Sequence, residues 1–205
     1  MVTEQSIKGN FIVNHRVFPS SDHLVMKEIF EQNCYGIRQD LIKDGVIIDI
    51  GANIGIFTLV ASQYADVYSY EPQCDNYELL LQNISKNKLS HTVHPYKLAI
   101  GKKGFSTINN AHGCSVVGTG DEPIEVIDIN EVMNKFDNID FVKIDCERGE
   151  HDIFETISDT NLNKIKYLGI EIHSQDNRLE QTKEKVNKHF IYKNRVYMNR
   201  NLIKE

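Results

Sequence analysis

VIIDIGANIG (residues 46–55) opens with five residues that are apolar except for Asp49, turns at Gly51 and reaches a second glycine at Gly55. IFTLVASQY (56–64) follows, with Ile56, Val60 and Tyr64 at helical spacing. An apolar run of this length reads as a strand buried on both faces, as in parallel sheets. A buried strand, a glycine-bearing turn and a helix start a nucleotide-type binding site, because backbone N–H groups and a helix N-terminus meet the ligand there. Gly51 lets the backbone turn and approach with no Cβ in the way, and Gly55 permits close helix packing.

Upstream, Lys8 to Phe18 alternates weakly and reads as an edge strand or a loop. A helix start at Pro19 to Asp22 leads into a short amphipathic helix, and Asp44-Gly45 is a turn signal before the first core strand. Downstream, Val67 to Tyr70 is a second strand, stopped by Pro72. Asp75 is expected to cap the helix that follows. Thr92 to Ile100 reads as a third strand, Phe141 to Ile144 as a fourth and Tyr167 to Ile172 as a fifth. A helix over 177–188 precedes a terminal hairpin turning at Asn194-Arg195. Strands alternating with helices at this pitch imply parallel βαβ units. Residues 101–123 break the rhythm with five of the twelve glycines, and read as a β-rich or irregular excursion over the carboxyl edge of the sheet. The expectation is one domain over 1–205: a cap segment at 1–45 and a Rossmann-like core at 46–205 carrying the 101–123 excursion.

The composition, 40% apolar and 25% charged, suits a globular domain, and 205 residues suffice for a full core. A net charge of −6 argues against gripping a phosphate backbone. The four cysteines have no C-x-x-C spacing and read as reduced thiols. With no apolar leader and no run of about 20 apolar residues, the expected setting is cytoplasmic.

In a parallel sheet the ligand lies beyond the carboxyl ends of the strands. The polar residues at those ends are Asp49 to Asn53, Glu71, Asp145 with Glu147, and Glu171 with His173. Glu71 lies 20 residues after Gly51, where a carboxylate can accept both hydroxyls of a ribose. A dinucleotide usually needs G-x-G-x-x-G, and Ala52-Asn53-Ile54 lacks the middle glycine. S-adenosylmethionine carries a sulfonium and an ammonium instead of phosphates, and Asp49 offers negative charge before the turn. Together with the terminal hairpin, this favours the methyl donor. Asp145, Glu147, His151 and His173 have the composition of a metal set, but their spacing does not converge, and no metal is expected. His112-Gly113-Cys114-Ser115, within the excursion, is a candidate for facing the substrate.

The chain resembles the FkbM-type family of S-adenosylmethionine-dependent methyltransferases. The resemblance rests on VIIDIGANIGIFTLVAS (46–62), YEPQCDNYELLLQNISKN (70–87), FVKIDCERGEHDIF (141–154) and IEIH (170–173). It implies a class I methyltransferase fold, an α/β architecture with helices on both faces of a seven-stranded, mostly parallel sheet whose last strand is antiparallel. It also implies O-methylation of a hydroxyl on a sugar, glycan or small metabolite. Asp49, Gly51, Asn53 and Gly55, with Ala52 between them, match the cofactor loop, and Glu71 matches the ribose acid. Asp145, Glu147 and Glu150 match a K-I-D-x-E-G-x-E motif, from which Arg148 departs where the family has glycine. If that position needs φ > 0, Arg148 is strained. Asp145 is the expected group that orients or deprotonates the acceptor, assisted by Glu147 or His173. The runner-up is an RNA methyltransferase in which Lys143 takes part. Acceptor identity and oligomeric state carry no sequence signal.

Overall fold

A computed structural model describes residues 2–7, 11–17, 19–42, 45–111, 115–174 and 176–202. The chain begins with an antiparallel hairpin, β1 (Val2–Ile7) and β2 (Phe11–Arg16), followed by helix α1 (Asp22–Phe30). Strands and helices then alternate through β3 (Val46–Ile50), α2 (Ile56–Ala61), β4 (Asp66–Tyr70), α3 (Cys74–Lys86) and β5 (Val93–Tyr96). Next come β6 (Ala99–Ile100), β7 (Gly104–Ile108), β8 (Glu122–Ile127) and helix α4 (Ile129–Met133). The chain continues with β9 (Ile139–Ile144), α5 (Gly149–Thr156), α6 (Asp159–Leu162), β10 (Ile165–Ile170) and α7 (Leu179–His189). It closes on β11 (Phe190–Lys193) and β12 (Val196–Asn199).

The main sheet has seven strands in the order β11–β12–β10–β9–β3–β4–β5. Its five central and outer strands from β10 to β5 run parallel, and β12 runs antiparallel to both β10 and β11. This is the class I methyltransferase sheet that the resemblance implies. Asn194 (φ 52°) and Arg195 (φ 68°) both take positive φ between β11 and β12, the two-residue turn whose twist matches a hairpin.

Alternation along β3 divides the core. Ile47 faces α1, α2 and β2, where it packs with Phe57 and Phe141. Ile48 and Ile50 face the other side, with Val142, Ile144, Ile153 and Phe154. Every residue of β9 is buried, as expected of a central strand covered on both faces.

Three expectations change. The strand expected over 92–100 divides: β5 ends at Tyr96, and β6 leaves the main sheet to pair in parallel with β8. Together β6, β8 and β7 make a separate three-stranded sheet, which gives the excursion its β character. Helix α3 is capped by Gln73, whose side chain accepts from the Asn76 N–H at 2.8 Å. Asp75 lies inside the first turn instead and accepts from Asn110 (2.7 Å). The last helix starts at Leu179, because Asp176 takes the backbone N–H of Arg178 (2.8 Å) and forms a turn ahead of it.

Candidate active site

Strand order reverses between β3 and β9, and a cleft opens at the carboxyl ends of β3, β4 and β9. Gly51 and Asn53 line it from the first turn, Tyr70 and Glu71 from β4, and Asp145, Cys146 and Glu147 from β9. The opposite wall is Leu98 to Ile100 together with Ile108, Ser115 and Val117 of the excursion. His112, Gly113 and Cys114 lie outside the described residues. Among the described residues lining the cleft, three are acidic and none is basic.

The turn after β3 is held from beneath. Gly51 (φ 76°) and Ala52 both donate backbone N–H groups to the Tyr70 carbonyl at 3.0 Å. A Cβ on Gly51 would lie 1.8 Å from the Asp145 carbonyl oxygen, so the exits of β3 and β9 touch through this glycine. Gly55 (φ 89°) begins α2 with Leu80 packed against it. Ala52 is buried and Asn53 (φ 52°) faces the cleft.

Asp49 does not reach the cleft. It sits on the same face of β3 as Ile47, fully buried, and accepts from the Thr58 hydroxyl of α2 (2.6 Å). Its other oxygen is 3.4 Å from Lys143 Nζ. Lys143 is buried, donates to the carbonyls of Ile50 and Gly51, and lies 3.9 Å from Asp145 Oδ2. Burial pushes the ammonium's pKa down, and Asp49 and Asp145 more than offset it, leaving it above the ordinary lysine value. Lys143 is thus an internal cation that ties the glycine turn to two carboxylates.

Glu71 is buried and accepts from the N–H groups of Asn53 (2.8 Å) and Gln73 (3.0 Å) and from Asn76 Nδ2 (3.3 Å). Burial raises its pKa against the pull of these hydrogen bonds. A carboxylate offers about four acceptor sites, so room remains for a ribose hydroxyl. Asn53 and Tyr70 line the same cleft, and among the described residues their buried Oδ1 and Oη atoms have no hydrogen-bond partner. Unsatisfied buried polar atoms are costly, and a ligand with N–H and O–H groups would satisfy both. These residues, with an acidic lining, fit a cationic adenosine-bearing cofactor.

Asp145 Oδ2 accepts from the Tyr35 hydroxyl at 2.6 Å. Burial, and then the Asp145 charge, push the Tyr35 phenol far above its ordinary pKa, so it stays a donor. Among the described residues no hydrogen bond takes Asp145 Oδ1, which is left for an incoming group. Tyr35 had no local signal: it stands 110 residues from its partner.

Beyond Asp145 the chain turns through two residues at positive φ, Glu147 (45°) and Arg148 (76°). Arg148 is exposed, does not line the cleft, and sits left-handed at the start of α5. Its strain is of the kind a glycine avoids. Arg148→Gly is therefore expected to stabilise the fold by about 1 kcal/mol. A urea melt showing a loss of stability would contradict this.

His173 bridges two acids. Its Nδ1–H donates to Glu150 Oε1 (3.0 Å), its backbone N–H to the same oxygen (2.7 Å), and its Nε2–H faces Glu147 Oε2 (3.3 Å). The hydrogen bond to Glu150 lifts its pKa to about 9. Burial pushes Glu150 up, but the His173 bonds outweigh it and hold it low. Burial raises Glu147, with His173 opposing. At neutral pH His173 is thus a cation, which suits holding Glu147 in place better than removing a proton. His173 binds its proton more tightly folded than unfolded, so its contribution to stability is complete below about pH 6.5 and fades as pH rises through about 9. Urea melts across pH 6 to 10 should show that decline, and His173→Gln should flatten it. His151 turns away, its Nε2–H donating to the His173 carbonyl (3.0 Å) and Nδ1 pairing with Thr182 (2.7 Å). Among the described residues no group of three or more His, Cys, Asp or Glu side chains is arranged to hold a metal ion.

The Methyltransferase FkbM domain matches residues 49–197. The chain is 21% identical over 216 residues to Methyltransferase sdnD of Sordaria araneosa, covering 82% of each. It is 25% identical over 153 residues to the hexuronic acid methyltransferase AglP of Haloferax volcanii, covering 67% of this chain and 60% of that protein. Among solved structures, the M. jannaschii tRNA m1G37 methyltransferase aligns with a TM-score of 0.49 at 14% identity, over 96% of this chain and 54% of that one. With the family match spanning the glycine turn, Glu71, Asp145 and His173, the chain belongs to the FkbM-domain methyltransferases and is an S-adenosylmethionine-dependent methyltransferase.

Proposed function

We propose that the enzyme is cytoplasmic and moves a methyl group to a hydroxyl of a sugar, glycan or small metabolite, with Asp145 as the group that orients and deprotonates the acceptor. The observation that carries this reading is the placement of Asp145. Asp145 and Glu71 line one cleft; Tyr35 holds Asp145 Oδ2, and no hydrogen bond among the described residues takes Oδ1. The bound cofactor supplies an electrophilic methyl on a sulfonium, which leaves as a neutral thioether. The protein's part is positioning. Tyr35 fixes the carboxylate, Glu71 receives ribose, and Asp145 accepts the hydroxyl proton as the new C–O bond forms. Glu147, held by His173, lines the acceptor side. The unpaired spacing of the cysteines supports the cytoplasmic setting.

The charge of the cleft favours a neutral acceptor over RNA, since among the described lining residues it sets three carboxylates and no cation against any phosphate. The test is transfer of a labelled methyl from S-adenosylmethionine to a panel of neutral sugars, uronic acids and RNA. An alkali-stable label on a sugar hydroxyl is the expected result. An alkali-labile ester on a uronic acid, or transfer to RNA alone, would overturn the reading.

A further inference from the structure

The N-terminal hairpin lies outside the family-matched residues 49–197, yet one of its side chains reaches the cofactor acid through two hydrogen bonds. Arg16, at the end of β2, is 8% exposed. Asp22 at the start of α1 is fully buried and grips it as a fork, with Arg16 Nε at 3.1 Å from Oδ2 and Nη2 at 3.1 Å from Oδ1. The Arg16 backbone N–H also donates to Asp22 Oδ2 (2.7 Å), and Ser20 Oγ accepts from the Asp22 N–H (3.1 Å). So held, Arg16 Nη2 donates to Asn76 Oδ1 at 2.7 Å. Asn76 in turn donates Nδ2–H to Glu71 Oε1 at 3.3 Å and lines the cleft.

An asparagine amide has one accepting end and one donating end, and a guanidinium has donors only. Arg16 therefore dictates which end of the Asn76 amide faces it. The reversed amide would set Nδ2 against the guanidinium and Oδ1 against the Glu71 carboxylate, two repulsions in a buried place. The backbone N–H of Asn76 is held separately, by the Gln73 side chain (2.8 Å). We propose that Arg16 is a positioning residue of the cofactor site. It locks the Asn76 amide so that it donates to Glu71, and thereby aims the carboxylate at the ribose. The proposal rests on the reading of Glu71 as the ribose acid. The donated hydrogen bond also favours the ionised Glu71 against burial, which works the other way.

Arg16→Met alone would strand a buried Asp22 and could unfold the chain, so the test pairs it with Asp22→Asn. The double variant should bind S-adenosylhomocysteine about tenfold more weakly by calorimetry, the scale of one lost hydrogen bond to a charged group. In an Asn76→Ala background the same pair should change the dissociation constant by less than about twofold, because the route through the amide is already gone. The 2′-deoxy analogue of the ligand should lose less than the parent. A merely structural role would lower affinity equally in both backgrounds and for both ligands, and that result overturns the proposal, as does no loss at all. Glu71→Gln run alongside separates the two readings. Weak binding there with an intact double variant defeats only the Arg16 proposal, whereas normal binding by Glu71→Gln defeats the ribose assignment and the proposal with it.

Discussion

Asp145→Asn should lower kcat by a factor of about 100 or more while S-adenosylhomocysteine still binds. The replacement keeps the size and planarity of the side chain, so Tyr35 retains an oxygen to which it can donate at the place it now occupies. What is lost is the ability to take up a proton and the negative charge beside Lys143. On the proposed assignment, ligand affinity is set mainly across the cleft, at Glu71 and the turn after β3. The discriminating measurement is the pair of kcat and dissociation constant. Turnover above about a tenth of the parent rate would leave Asp145 an orienting role only, because a general base contributes at least about a hundredfold.

Gly51→Ala should cost at least about 3 kcal/mol of stability and abolish cofactor binding, combining overpacking with a positive φ. The added methyl would meet the Asp145 carbonyl oxygen at 1.8 Å and its carbon at 2.8 Å. The backbone cannot yield readily. The N–H groups of Gly51 and Ala52, on either side of the Gly51 Cα, converge on the Tyr70 carbonyl, and Lys143 holds the Gly51 carbonyl. Relief would have to come from spreading β3 and β9, whose last pair is Ile50 with Ile144. A urea melt within 1 kcal/mol of the parent would mean that the two strand ends are not packed as described.

The parts of this molecule that were legible in its sequence are those whose signal is local. β3 announces itself as an apolar run that stops at a glycine turn, β4, β9 and β10 as strands followed at once by an acid, and the hairpin turn at Asn194-Arg195 lies where the chain must reverse. Glu71 stands out by its distance from Gly51, and it lines the cleft. Arg148 was flagged by the family's glycine, and its φ of 76° gives the reason.

What was hidden depends on partners far away in the chain. Nothing in VHPYKLAI (93–100) signals that β5 joins one sheet and β6 another, since both halves have strand character. Tyr35 and Arg16 reach the site through Asp145 and Asn76, which stand 110 and 60 positions on. The orientation of Asp49 was within reach. A period of two places it with Ile47 under α2, where Thr58 waits nine residues later. Charge alone does not say which face of the strand a carboxylate takes.

The order β11–β12–β10 bears on how the protein is made. Among the described residues β11 has no neighbour in the sheet except β12, and β12 is the later of the two to be synthesised. Until β12 slides between them, β10 and β11 each present an open edge to the surrounding solution. The closing step joins segments about 30 residues apart, Tyr167 with Met198 and Leu168 with Tyr197, and non-local pairings of this kind are slow. A half-finished sheet of this order would expose edges that can pair with other chains. Solubility of the newly made enzyme should be more sensitive to changes in the 190–199 hairpin than its place outside the lining of the cleft suggests.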